Sequence, residues 1–228
     1  RFSEVVADVQ ALHRDHLNAG ALFQVASQFN TLEMVSPNVT PDDGIDRYEN
    51  DRTQGPACAI ACGAGTIYRN YLVPIDGHIG QSASRQVNCL AELVARLGID
   101  VEMRNGYALA TESQLNRVNE ALAATDTDGL NELRAQLRVG LQRDTEVTLL
   151  EPGHVVTQAF CSAMPVAYST VATPTWEPFA RLVLDAAYEA TLHAGVINTA
   201  ATGNRRVFLT LLGGGAFGNP IEWILSSM

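Results

Sequence analysis

Apolar positions along the chain alternate between short continuous runs and stripes at helical spacing. Val5, Val6, Val9, Leu12 and Leu17 recur near the helical period and predict an amphipathic helix over residues 3–18. The run Ala21-Leu-Phe-Gln-Val-Ala26 then predicts a buried strand ending in the polar group Ser27-Gln28-Phe29-Asn30. Residues 31–55 carry Pro37, Pro41, Gly44 and many carboxylates without a clear period, which predicts a long loop of functional interest. Pro56 opens a small-residue helix expected to reach about Tyr71, because proline suits the first helical turn. A loop over 74–86 and a short helix over 87–97 follow.

Asn105-Gly106 between apolar flanks predicts a hairpin within 99–109. Helices are expected at 111–124 and 127–138, each opening on threonine, and strands at 145–150 and 154–161. Trp176 to His193 reads as a strong helix with Phe179, Leu182, Val183, Ala186, Ala187 and Ala190 on one side. Val207-Phe-Leu-Thr-Leu-Leu212 reads as a buried strand, and Pro220 starts a last helix. Strand and helix alternate, which argues an α/β fold with a covered, partly parallel sheet.

Charge narrows the ligand classes. The net charge is −10 and the only adjacent basic pair is Arg205-Arg206, so no basic stripe exists to grip a nucleic-acid backbone. All 15 basic residues are arginine. Without lysine there is no Walker-type phosphate lysine and no Schiff base. A phosphorylated small molecule held by main-chain N–H groups stays compatible. No apolar run reaches the length of a membrane span, and the opening residues Arg1-Phe2-Ser3-Glu4 lack an apolar signal core, so a cytoplasmic location is expected. Cys58, Cys62, Cys89 and Cys161 form no CxxC pair and read as free thiols. His13 and His16 read as an exposed helix face without a third metal ligand, so neither metal nor cofactor is expected.

The most informative segment is Gly213-Gly214-Gly215-Ala216-Phe217-Gly218-Asn219, delivered by a strand and followed by a helix. Three adjacent glycines exceed what a turn needs, and each costs roughly 0.5–1 kcal/mol of folding entropy. Glycine amides beside a helix start make an anion site.

The stretch Arg206-Val-Phe-Leu-Thr-Leu-Leu-Gly-Gly-Gly-Ala-Phe-Gly-Asn-Pro220 resembles the last strand and second ligand loop of macrodomains, nearest the poly(ADP-ribose) glycohydrolase-like branch. Phe23-Gln-Val-Ala-Ser-Gln-Phe-Asn30 is similar to that branch's strand ending in Ala-Asn, and Gln54-Gly55-Pro56 lies where its glutamine-glutamate motif opens a helix. The resemblance implies one three-layer α/β/α domain over 1–228, with a mixed, partly parallel central sheet and residues 87–150 as a helical insertion or decoration. It also implies ADP-ribose or an ADP-ribosylated substrate as partner. Residues 213–219 would wrap the diphosphate, Gln28 and Asn30 would meet a sugar or base, and Gln54 and Gly55 would form the opposing wall. Phe217 is expected either to stack on the ligand or to face the core.

This chain departs from the branch where catalysis is concerned. Gln54 is followed by Gly55 and Pro56 rather than two glutamates, and no three-glycine run precedes it. A catalytic acid must therefore come from the acidic loop, where Glu33 and Asp51 are the candidates to orient a water at an anomeric carbon. Arg52 could pair with phosphate or with a neighbouring carboxylate. The functions implied are ADP-ribosyl glycohydrolase or non-catalytic ADP-ribose reader. A dinucleotide-binding oxidoreductase ranks lower, because no βαβ unit follows the glycine run.

Overall fold

Side chains that point alternately to two covered faces make residues 22–26 the centre of the fold. The computed structural model describes residues 2–228. Its elements run α1 (Val9–Arg14), β1 (Leu22–Ala26), α2 (Gln54–Ala61), α3 (Gly63–Ile67), β2 (Pro74–Ile75), β3 (His78–Ile79), α4 (Ala91–Arg96), β4 (Glu102–Arg104) and β5 (Tyr107–Leu109). They continue with α5 (Glu112–Ala123), α6 (Thr127–Arg134), β6 (Gly140–Glu146), β7 (Val155–Cys161), α7 (Thr173–Thr202), β8 (Val207–Phe208) and α8 (Ile221–Ser227). The central sheet has the order β6-β7-β1-β8. β1 is parallel to β7 and β8, and β6 is antiparallel to β7, so the sheet is mixed.

Helices cover both faces of this sheet, giving an α/β/α arrangement. On one face Leu22 and Ala159 pack against Ala194 of α7, and Gln24 donates to Thr191 at 2.9 Å. On the other, Phe23 and Val25 pack with Cys62 and Cys58 of the α2 side. Gln158 donates to the Cys58 carbonyl at 2.9 Å, so its buried amide nitrogen is satisfied across to α2. The four cysteines are buried free thiols. Among the described residues no helix is long and apolar enough to cross a membrane.

Several boundaries differ from the periodicity, each for a local reason. The first helix covers only Val9–Arg14: Asp8 caps it by accepting from Gln10 N–H at 2.7 Å, and Val5 and Val6 are exposed. His13 is buried rather than on an exposed face, stacked on Phe23 at 3.9 Å, and burial lowers its pKa to about 4. The helix expected from Pro56 to Tyr71 breaks at Cys62 and ends in a wide i→i+5 turn over Tyr68–Leu72. At Gly65 this segment approaches β6 so closely that a Cβ would lie 2.6 Å from Thr145 Oγ1. The 74–86 loop contains the two-residue pair β2–β3.

The hairpin forms as expected, with Asn105 and Gly106 at φ 48° and 81°. The strand expected at 145–150 begins instead at Gly140, because a register irregularity between Gln142 and Thr145 interrupts its alternation. Residues 87–150 are helix-rich, yet they also supply β6, the edge of the central sheet. Leu90, Leu93, Leu115, Val118 and Leu133 share one core with Trp176 and Phe179 of α7. The stretch is therefore built into the main fold rather than attached to it. α7 is longer than expected, and its C-terminal part buries Ala194, Gly195 and Asn198 before Gly203 caps it at φ 77°. The strand expected over 207–212 pairs only at Val207 and Phe208. Beyond that, side chains replace the ladder: Gln24 Oε1 accepts from Thr210 N–H at 3.2 Å, and the Tyr188 hydroxyl joins Thr210 O and Leu212 N–H at 2.7 and 3.1 Å. The chain thus leaves the sheet before the glycine run.

Candidate functional site

Ends of parallel strands are where α/β sheets open crevices, and one opens here. A cleft of about 340 Å³ lies between the end of β1, the start of α2, the loop after β8, β5 and the turn after β7. Such a volume suits a small-molecule site. Two carboxylate residues, Glu33 and Asp51, are part of its lining, and among the described residues no arginine or histidine is.

The glycine loop forms one wall through Gly213, Gly215, Ala216 and Phe217. Among the described residues, the main-chain N–H groups of these four have no acceptor. Gly214, Gly218 and Asn219 lie outside the lining and shape the loop instead. Gly214 N–H donates to Leu211 O and Gly218 N–H to Gly215 O, both at 3.0 Å. The Asn219 amide donates to Met164 O at 2.9 Å and to Gly213 O at 3.3 Å, so Asn219 is a strut and not a ligand contact. Gly213 and Gly218 have φ of 75° and 70°, and a Cβ on Gly213 would lie 2.4 Å from that of Ala163. Backbone conformation therefore requires glycine at Gly213 and Gly218, and close packing adds to it at Gly213.

Phe217 belongs to an aromatic cluster, with ring centroids 5.3 Å from Tyr107 and 5.7 Å from Tyr168. Half-buried, it packs on its own protein, as the core-facing expectation has it, and it also borders the cleft. Tyr107 and Tyr168 also line the cleft and were not singled out by sequence. Their signal is tertiary, since the Tyr107 hydroxyl reaches Met34 O at 2.6 Å across 73 residues of chain.

The opposite wall places the other candidates unevenly. Gln28 lines the cleft; its Oε1 accepts from Met34 N–H at 2.6 Å, and its amide nitrogen has no acceptor among the described residues. Asn30 does not line the cleft. Its side chain is fully buried, accepting from Leu32 N–H at 3.0 Å and donating to Gln86 at 2.9 Å, so the expected sugar or base contact is not available to it. Gln54 lines the cleft, but both ends of its amide clamp β1, accepting from Ala26 N–H and donating to Gln24 O. Gly55 lets α2 meet β1: a Cβ there would sit 2.0 Å from Ala26 O.

The two carboxylates have different settings. Asp51 is partly exposed; its Oδ1 accepts from Thr53 N–H and hydroxyl at 2.9 and 2.7 Å, and Oδ2 has no partner among the described residues. Glu33 lies in the cleft floor with its side chain 1% exposed, and both oxygens take Nη2 of buried Arg69, at 3.1 and 3.2 Å. Burial pushes the Glu33 carboxyl up to about 7, against the pull of Arg69. So engaged, Glu33 is less able than Asp51 to orient a water in the open cleft. Asp46, Glu49 and Arg52 are exposed and outside the lining. No cluster of three or more His, Cys, Asp or Glu suited to a metal occurs among the described residues. Comparison with family models, curated proteins and solved structures returns no match to this chain, so its cleft is read from its own residues.

Proposed function

We propose that the cleft binds ADP-ribose or a closely related nucleotide diphosphate. The observation that carries this reading is the group of four main-chain N–H donors without acceptors, at Gly213, Gly215, Ala216 and Phe217, on one wall of a cleft. Phosphate recognition by main-chain amides needs no basic side chain, and among the described residues this lining has none. The likeness of the 206–220 segment to the macrodomain ligand loop supports the same choice. The Gln28 amide offers a further donor to a hydroxyl or base acceptor. Free thiols fit a reducing, cytoplasmic setting.

The binding reading comes first. The unpartnered Oδ2 of Asp51 supports a second one, hydrolysis of an ADP-ribosyl bond with Asp51 as the carboxylate that orients water. Calorimetry with ADP-ribose, AMP and NAD tests the first reading, with ADP-ribose expected to bind most tightly and silence with all three refuting it. Incubation with ADP-ribosylated protein tests the second: release by the wild type and at least a hundredfold loss in Asp51→Asn is expected. Release undiminished in that variant removes Asp51 from the reaction, and no release by the wild type leaves a non-catalytic reader.

A further inference from the structure

The turn that closes the cleft floor is strained. Thr31, a β-branched residue, has φ 64°, in a region such side chains rarely enter. It is also buried, and a Cβ on the neighbouring Gly140 would lie 2.6 Å from its Cγ2, so Gly140 makes room for it. Strain of this kind persists only where surrounding contacts over-determine the conformation, and it clusters at binding sites. Thr31 stands between Gln28 on one side and Glu33, Met34 and Val35 on the other, all of them cleft residues.

Those contacts converge on Arg69. Its Nε donates to the Thr31 carbonyl at 3.0 Å, and its Nη2 takes the Glu33 carboxylate. Its Nη1 reaches Gln142 Oε1 at 3.4 Å, and the guanidinium lies 3.6 Å from the centroid of the Phe160 ring. A planar fork spreads its donors in a fixed geometry over the carbonyl and the carboxylate, whereas an ammonium carries all its donors on one nitrogen and cannot span the same two positions. Arg69 itself sits in the wide helical turn over Tyr68–Leu72, a local irregularity of a kind frequent at functional sites. Held this way, the turn keeps Gln28 Oε1 on Met34 N–H and leaves the Gln28 amide nitrogen toward its free role.

We propose that Arg69 is a positioning residue for the ligand cleft, fixing the strained Thr31–Val35 wall through the Thr31 carbonyl and the Glu33 carboxylate. This rests on the reading of the cleft as an ADP-ribose site. The titratable groups around Glu33 are Arg69, the Tyr48 hydroxyl, which accepts from Glu33 N–H at 2.9 Å, and the Cys58 thiol of α2. Cys62 lies on the Arg69 side. Burial holds both thiols and the tyrosine neutral, so the Glu33 proton is the one that changes the pair near neutral pH. Below about 7 the carboxyl gains its proton and the hold on the wall weakens.

The experiment compares wild type, Arg69→Lys and Arg69→Met by ADP-ribose calorimetry from pH 5.5 to 8.5, with hydrogen exchange of the Leu32–Val35 amides. Wild-type affinity is expected to fall several-fold as pH drops through about 7. Arg69→Lys is expected to bind at least tenfold more weakly at pH 8, while its Leu32–Val35 amides exchange at least tenfold faster and those of the β4–β5 hairpin are unchanged. Arg69→Met, without a cation beside Glu33, moves the pH midpoint upward. Lysine binding as well as arginine, or Leu32–Val35 amides as protected in Arg69→Lys as in wild type, overturns the proposal. If ADP-ribose binds at no pH, the ligand reading fails, and exchange decides alone: unchanged Leu32–Val35 protection in Arg69→Lys then overturns the positioning role. Should neither variant fold, Glu33→Gln, which removes the carboxylate end of the same hold, decides by the same exchange readout: unchanged Leu32–Val35 protection overturns the proposal.

Discussion

The two walls of the cleft are built by opposite means. The Gly213–Phe217 wall is main chain held open by local conformation, with positive φ at Gly213 and an exposed tip at Gly215. The Gln28–Val35 wall is held by buried side chains from distant segments: Arg69, Tyr48, Tyr107 and Gln81, the last donating to Asn30 O at 2.9 Å. The first kind of wall offers donors without charge. The second carries charge, but spends it on the protein itself. A substitution in the first wall is therefore expected to alter what binds, and one at the seam beneath the second to alter whether the fold forms.

The largest effect is expected at that seam. Gly55→Ala places a Cβ 2.0 Å from Ala26 O and 3.1 Å from Glu33 Cγ, forcing α2 off β1. The loss should be about 3 kcal/mol or more, read from urea unfolding. A loss below about 1 kcal/mol would show that the helix start and strand end are not packed as described.

A smaller effect, on binding alone, is expected at the loop tip. Gly215 has no neighbour within 4 Å of an added Cβ, and its φ is not positive. Gly215→Glu should leave the thermal midpoint within a degree or two. It should nevertheless weaken ADP-ribose at least tenfold, about 1.4 kcal/mol, by setting an anion beside the unpartnered amides. Gly215→Ala, smallest of the three, should change stability by less than about 0.5 kcal/mol. Equal affinity in Gly215→Glu and wild type would erase the distinction between the walls.

This contrast also explains what the sequence could disclose. Local signals were legible: the β1 run is apolar because both its faces are covered, Asn105-Gly106 suits a turn with two positive φ angles, and the glycine loop needs positive φ at Gly213 and Gly218. The placement of Gly213, Gly215, Ala216 and Phe217 on a cleft follows the same logic. Partners separated along the chain were not legible. Nothing near Glu33 announces Arg69, 36 residues away, and nothing near Asn30 shows that Gln86 and Leu32 N–H will consume its amide. Gln54 shows the same limit, since its helix-start position is readable but its clamp on Gln24 and Ala26 is not. The short ladder of β8 is a related case: an apolar run continues to Leu212, while Gln24 and Tyr188 take over its hydrogen bonds.

Amide-resolved NMR during an ADP-ribose titration addresses the diphosphate site at its own atoms. Saturable shifts at the N–H groups of Gly213, Gly215, Ala216 and Phe217, with Gly214 and Gly218 moving less because their N–H groups already have acceptors, are the expected result. Binding that shifts other surfaces and leaves those four amides unmoved would contradict the assignment of this loop as the place where phosphate is held.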